Sequence, residues 1–278
     1  MDFELKIARN REELLSLMEE EEDYKLLAGG TDLFVKIKKG LISPDRVIDI
    51  TEVFSEPNIV DTGDDIRINA TATHQELATS LFIKEELPVL AQAAEAVGAT
   101  QLRNMATLGG NVCNASPSAD TLIALYLLNA DLTLVNRKGE RTMTVRDFIT
   151  GPGSTTLSQA EFLESITIPK LVGNYRHFFE KVGRRNALDI SVCSMGYLLK
   201  ENGGILEEVR LAYGAVAPTV IRPEPVEDFL QGKEPTRDTL DRAKNLLERE
   251  ISPISDIRGS SEYRKKVALR LLERLRDG

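Results

Sequence analysis

The sequence predicts an α+β chain. Two units that mix strands and helices come first, and a third unit of antiparallel strands followed by helices closes the chain. Three observations carry this expectation. Paired glycines at Gly29-Gly30 and Gly109-Gly110 each precede a helical pattern, which reads as two strand–Gly-Gly–helix junctions. Asn202-Gly203-Gly204 lies between two strand-like runs and marks a hairpin. Helical patterns then occupy 238–250 and 261–276, the second with Val267, Leu271, Leu272 and Leu275 on one stripe.

In chain order, Arg9 to Glu21 reads as a helix with Leu14, Leu15, Leu17 and Met18 on one side. Lys25 to Ala28 reads as a short strand. It enters Gly29-Gly30-Thr31-Asp32, and Leu33 to Lys39 then reads as a short helix closed by Gly40, with Thr31 or Asp32 as its cap. Ser43-Pro44-Asp45 signals a turn before the buried strand Arg46 to Ile50, and Ser55 to Asn58 reads as a linker. Asp65 to Ala72 alternates as a strand. Thr73 or Thr71 with Glu76 marks a helix start, and Pro88 to Val97 is a helix stopped by Gly98. Asp131 to Asn136 and Arg141 to Val145 pair across a turn, Gly151-Pro152-Gly153 is a loop, and Glu161 to Pro169 is a strand. Tyr175 to Val182, Ile190 to Lys200 and Ile205 to Val216 read as the antiparallel strands of the last unit, and Thr236 is placed to cap the helix that follows.

The stretch Gln101 to Asp120 organises the rest. It carries charge only at Arg103 and Asp120 and is built of small and neutral residues. Such a run predicts backbone that a ligand can approach closely, since glycine has no Cβ to hold it off. A helix from Thr121 to Ala130 follows, with Ser116 and Pro117, or Ser118, at its start. Its N-terminus would present free N–H groups to a phosphate. A tight turn packed inside a core would also use a Gly-Gly pair. The first pair shifts the balance, because a pyrophosphate clasped between two such loops needs no lysine. Neither loop is a G-x-G-x-x-G or P-loop sequence.

The net charge of −9 argues against nucleic acid, which needs a basic footprint. No apolar run approaches the roughly 20 residues of a membrane span. The N-terminus has acids at Asp2 and Glu4 and no apolar core, so no signal peptide is expected, and a cytoplasmic location follows. Cys113 and Cys193 are the only cysteines and make neither an iron–sulfur site nor a disulfide framework. His74 and His177 are the only histidines, too few and too far apart for a zinc hydrolase. His74 reads as a first-turn helix residue, and the acids at 19–23 as a solvated helix end. Lys181, Arg184 and Arg185 are placed either to reach an anionic ligand or to sit in solvent at a strand end. Two phosphate-type loops without acid–base or nucleophilic machinery predict a protein whose chemistry belongs to a bound cofactor.

Ala28 to Leu33 (AGGTDL) and Arg103 to Asp120 (RNMATLGGNVCNASPSAD) resemble the two FAD-binding signatures of the flavoprotein subunits of molybdenum hydroxylases, the xanthine, carbon monoxide and nicotinate dehydrogenase group. The strand sequence FFEKVGRRNALDIS and the ending Ile257 to Leu275 also resemble theirs, and the likeness runs nearly end to end. The resemblance implies a two-lobed FAD-binding domain of the vanillyl-alcohol-oxidase (PCMH) type over 1–172, with lobes 1–55 and 59–172, and an α+β C-terminal domain over 175–278. It implies that Leu27, Ala28, Gly29, Gly30, Thr31, Asp32, Leu33 and Phe34, together with Thr107, Leu108, Gly109, Gly110 and Asn111, hold the FAD pyrophosphate region. It further implies that Asp120 hydrogen-bonds a polar part of the cofactor, that Leu157 and Ile166 pack near it, that Lys181 lies by the flavin or its phosphates, and that Gln101 and Leu102 border the second loop. The four-cysteine iron–sulfur insert of some relatives is absent.

The implied partners are a molybdopterin-binding large subunit and a small [2Fe–2S] subunit in a doubled heterotrimer. Electrons would pass from the clusters through FAD to an acceptor such as NAD. Two other readings stay open: a stand-alone FAD reductase of the same fold, like the enolpyruvyl-glucosamine reductases, and a nucleotide-binding module without catalysis.

Overall fold

The computed structural model describes residues 3–20, 23–54, 57–185 and 188–276. Parts of three predicted segments, the acid run 19–23, the linker 55–58 and the stretch around 186–187, fall outside them.

The first unit is a three-stranded parallel sheet in the order β1-β3-β2, built from β1 (Glu4–Ile7), β2 (Tyr24–Leu27) and β3 (Arg46–Asp49). Helix α1 (Arg11–Glu20) crosses between β1 and β2, and α2 (Leu33–Lys38) between β2 and β3. Leu14, Leu15 and Met18 form the buried face of α1, as their spacing predicts. They pack with Ile48, Val135 and Phe162, so this small core is shared with the second unit. Helix α2 buries none of its residues.

The second unit is an antiparallel sheet of five strands, β4 (Ile59–Asp61), β5 (Asp65–Asn69), β6 (Asp131–Asn136), β7 (Gly139–Thr144) and β10 (Phe162–Pro169), in the order β4-β5-β10-β6-β7. Between β5 and β6 run α3 (His74–Thr79), α4 (Leu81–Glu86), α5 (Pro88–Glu95), α6 (Thr100–Arg103), α7 (Leu108–Asn114) and α8 (Asp120–Leu127). After β7 come α9 (Val145–Phe148) and a small hairpin of β8 (Ile149–Gly151) and β9 (Ser154–Thr155), which the sequence predicts only as a loop. Helix α3 begins at the expected start, Thr73 rather than Thr71, with a capping box: Thr73 Oγ1 accepts from Glu76 N at 3.1 Å, and the Glu76 carboxylate accepts from Thr73 N at 2.6 Å.

The third unit is the sheet β11 (Arg176–Val182), β12 (Cys193–Asn202) and β13 (Ile205–Gly214), with β12 in the centre. Gly203 and Gly204 adopt φ +58° and +83° in the predicted hairpin turn. Helices α10 (Glu224–Leu230), α11 (Arg237–Glu250) and α12 (Ser261–Leu271) follow, the last continuing as a 3₁₀ turn over Leu272–Arg276. Thr236 caps α11 as expected. Helix α10 is not legible in the sequence, because Pro223 and Pro225 break its pattern, yet proline is tolerated at a helix start. Leu199, Leu211, Leu247 and Leu271 belong to the core on one side of this sheet, whereas Leu198 and Ala212 join the core beneath α8 on the other. The sheet is therefore buried on both faces.

Two expectations for the organising stretch need correction. Its glycines lie inside the first turn of α7, preceded by α6 and a turn, so the second junction has no strand before it. Helix α8 starts at Asp120 after Ala119, with no side-chain cap from Ser116 or Ser118.

Candidate functional site

A cleft of about 550 Å³ separates the first unit from the second. Its volume lies in the range of small-molecule and cofactor sites. Both glycine pairs border it, but within each pair the two glycines do different work. A Cβ at Gly29 would stand 1.8 Å from Met105 O, and one at Gly109 would stand 2.5 Å from Ala70 Cβ. These two positions are glycine because backbone packs on backbone there: Gly29 docks the first loop onto the turn before α7, and Gly109 seats α7 on the end of β5. Gly30 takes φ +69°, which a side chain resists. At Gly110 a Cβ would meet only Thr107 Oγ1, at 2.9 Å, so this position is the more open.

The two loops also differ in their donors. The N–H groups of Gly29, Gly30, Thr31 and Asp32 find no acceptor among the described residues. In α7 the N–H groups are already engaged: Leu108 donates to Ala72 O, Gly109 to Ala70 O, Gly110 to Thr107 Oγ1 and Asn111 to Thr107 O. The first loop therefore supplies free backbone donors, and α7 presents the side chains of Thr107, Asn111 and Asn114. Asp32 occupies the cap position of α2 but makes no capping bond; its carboxylate pairs with Lys36 Nζ at 2.7 Å. The same ammonium donates to Asn114 Oδ1 at 2.7 Å and so ties α2 to α7 across the cleft.

Leu102, Leu157, Val97 and Ile50 give the cleft apolar walls. Its outer wall, 157–161, is held by Arg141, whose guanidinium makes two 2.8 Å contacts with the Glu161 carboxylate and donates to Thr156 O at 2.9 Å. That guanidinium holds the Glu161 carboxyl at about 2. Tyr24 OH donates to Gln159 O and closes the lower end.

Of the residues predicted for the site, Ala28, Gly29, Gly30, Thr31, Asp32, Leu33, Leu102, Thr107, Gly109, Gly110, Asn111 and Leu157 line this cleft. Leu27 is buried behind the first loop, and Leu108 and Ile166 are buried in the core of the second unit. Gln101 is exposed on α6. Phe34 stands on α2 stacked against Phe3, ring centroids 6.4 Å apart. Asp120 and Lys181 lie outside the cleft lining and pair with each other at 2.6 Å. Arg184 donates to Ile257 O at 2.9 Å and Arg185 to Leu188 O at 2.7 Å, so both guanidinium groups turn to backbone carbonyls away from the cleft. Residues missed from sequence include Lys36, Asn114 and His74. The i+4 spacing of Asp32 and Lys36, and the helical spacing of Thr107, Asn111 and Asn114, carried that signal.

A family model described as the FAD binding domain in molybdopterin dehydrogenase matches residues 1–171, and one described as the CO dehydrogenase flavoprotein C-terminal domain matches 177–277. The chain is 33% identical over 267 residues to the glyceraldehyde dehydrogenase medium chain of Sulfolobus acidocaldarius, covering 96% of this chain and 94% of that one. It is 31% identical over 255 residues to the xanthine dehydrogenase FAD-binding subunit of Escherichia coli O157:H7, covering 90% and 86%. Carbon monoxide dehydrogenase from Hydrogenophaga pseudoflava superposes with a TM-score of 0.94 at 28% identity, over 99% of this chain and 96% of that one.

The fold and these likenesses define an oxidoreductase subunit that binds FAD. The chain belongs to the FAD-binding flavoprotein subunits of the molybdenum hydroxylases, the family of the xanthine and carbon monoxide dehydrogenases. The cleft suits that cofactor on its own chemistry, with free backbone donors for a pyrophosphate on one side and apolar walls on the other. Among the described residues no group of three or more metal-ligating side chains occurs, and no helix is long and apolar enough to cross a membrane.

Proposed function

We propose that this chain is the electron-relay flavoprotein of a cytoplasmic molybdenum hydroxylase, working beside a molybdopterin-binding large subunit and a small [2Fe–2S] subunit in a dimer of heterotrimers. The observation that carries the reading is the cleft bordered by two glycine segments, with the N–H groups of 29–32 free on one side of it among the described residues. Bound FAD supplies a centre able to exchange single electrons with iron–sulfur clusters and an electron pair with an acceptor such as NAD. The chain's own part is to bind and orient. The N–H groups of 29–32 would hold the pyrophosphate, with Thr107, Gly110 and Asn111 bordering it on the side of α7, and Leu102 and Leu157 would keep water from it. Leu27, Phe34, Leu108 and Ile166 would flank these groups, Gln101 would border the second loop, and Asp120 with its partner Lys181 would meet a polar part of the cofactor. The domains in this reading are 1–172, with lobes 1–55 and 59–172, and 175–278.

The test is an absorbance spectrum of the complex captured through this chain, with its subunits resolved on a gel. Flavin and iron–sulfur bands with one larger and one smaller companion are expected. Flavin on a lone polypeptide would sink the relay, and reduction of NAD by the complex under substrate tests the acceptor.

A further inference from the structure

His74 is completely buried and is one of the residues that border the cleft. Neither ring nitrogen has a hydrogen-bond partner among the described residues. Its backbone is firmly placed: the N–H donates to Ala106 O at 2.9 Å, and the capping box of Thr73 and Glu76 anchors the helix turn that carries it. The nearest cation cannot complete the ring. Arg103 spends its donors on Gln75 Oε1, Glu95 O, Val97 O and Thr100 Oγ1. Burial, and then the charge of Arg103, bring the imidazole down to about 4, so it is neutral at physiological pH. A neutral imidazole has one donor and one acceptor to satisfy. Buried polar groups are normally satisfied, and leaving one unmade costs free energy.

We infer that His74 is a hydrogen-bonding residue for FAD, its ring completed by a polar atom of the cofactor when the cleft is filled. The inference rests on the reading of the cleft as the FAD site. It places α3, in addition to the two glycine segments, in the binding apparatus. It also accounts for a polar side chain where the neighbouring Ala70, Val97, Leu102 and Ala106 are apolar.

The experiment uses the full chain freed of flavin and titrated with FAD, following flavin fluorescence, with thermal unfolding of the ligand-free protein in parallel. His74→Leu is expected to weaken FAD binding by about tenfold or more without lowering the ligand-free unfolding midpoint, since it removes an unsatisfied group. His74→Gln, which keeps a donor and an acceptor, is expected to stay within about threefold of wild type. A leucine variant that binds FAD like wild type overturns the inference, and so does one whose ligand-free midpoint falls, which marks a packing role. Ring ¹⁵N shifts of His74 in the unaltered chain decide the matter even where the variant fails to fold; His177 is the only other histidine to assign. A change on adding FAD supports the contact, and unchanged shifts overturn it. Wild-type chain that binds no FAD would instead overturn the reading of the cleft.

Discussion

The Lys181 ammonium on β11 lies 2.6 Å from the Asp120 carboxylate in the first turn of α8. Ser191 Oγ donates to the other carboxylate oxygen at 2.7 Å, and Lys181 also donates to Ala96 O at 2.9 Å. One buried carboxylate thus joins the end of α5, the start of α8, β11 and the approach to β12. As an acid in the first turn of α8 it also suits the partial positive charge of that helix terminus. Burial raises the Asp120 carboxyl, opposed by Lys181 and Ser191.

Breaking this pair leaves an uncompensated charge in the interior. Asp120→Ala is expected to cost roughly 3–5 kcal/mol, and Asp120→Leu combined with Lys181→Met to recover much of that loss. Urea unfolding of the three proteins checks this. A double variant as unstable as the single one would show that packing, not charge, dominates.

The glycines of α7 should respond differently to the same methyl group. Gly109→Ala drives a Cβ into Ala70 and is expected to destabilise the fold by about 1–3 kcal/mol or more. Gly110→Ala meets only Thr107 Oγ1, so the protein should remain folded while binding FAD less tightly. Circular dichroism melts beside flavin titrations separate the two outcomes.

Acid should loosen the outer wall of the cleft through Glu161. Its carboxyl is held at about 2, chiefly by Arg141, against an ordinary value of 4.5. The folded value lies below the unfolded one, so the contribution is complete above pH 4.5 and vanishes as pH falls toward 2. With Arg141 partly in solvent, it amounts to roughly 1–3 kcal/mol. Glu161→Gln should flatten the stability profile across that window, as measured by urea midpoints at successive pH values.

Arg264 is buried and donates to Val192 O at 2.7 Å, Ala215 O at 3.1 Å and Asp256 at 2.7 Å. It fastens α12 to the ends of β12 and β13. Burial pushes the Asp256 carboxyl up, but the Arg258 N–H and the Arg264 and Arg258 guanidinium groups hold it well below the usual carboxylate range. Arg264→Met leaves the carbonyls of Val192 and Ala215 without this donor, while Asp256 keeps Arg258, and is expected to cost roughly 1–3 kcal/mol, read by chemical unfolding. Wild-type stability would refute the clamp.

Local pattern determined most of the elements. The apolar stripe of α1, the Thr73–Glu76 capping box, the Gly203-Gly204 turn and the Thr236 cap all depend on neighbours within a few residues, so they are readable in order along the chain. The two glycine signatures likewise mark the cleft and its cofactor. What each glycine does was decided only by tertiary structure. Gly29 and Gly109 answer to Met105 and Ala70, which lie far away in sequence, and the N–H groups of α7 are consumed in part by the end of β5. The same holds for Asp120, whose partners Lys181 and Ser191 come from distant segments, and for His74, whose ring is left without a partner among the described residues by the packing around α3. Spacing along a chain reports which groups are near in sequence; which donors and charges remain free is set by the distant segments that pack against them.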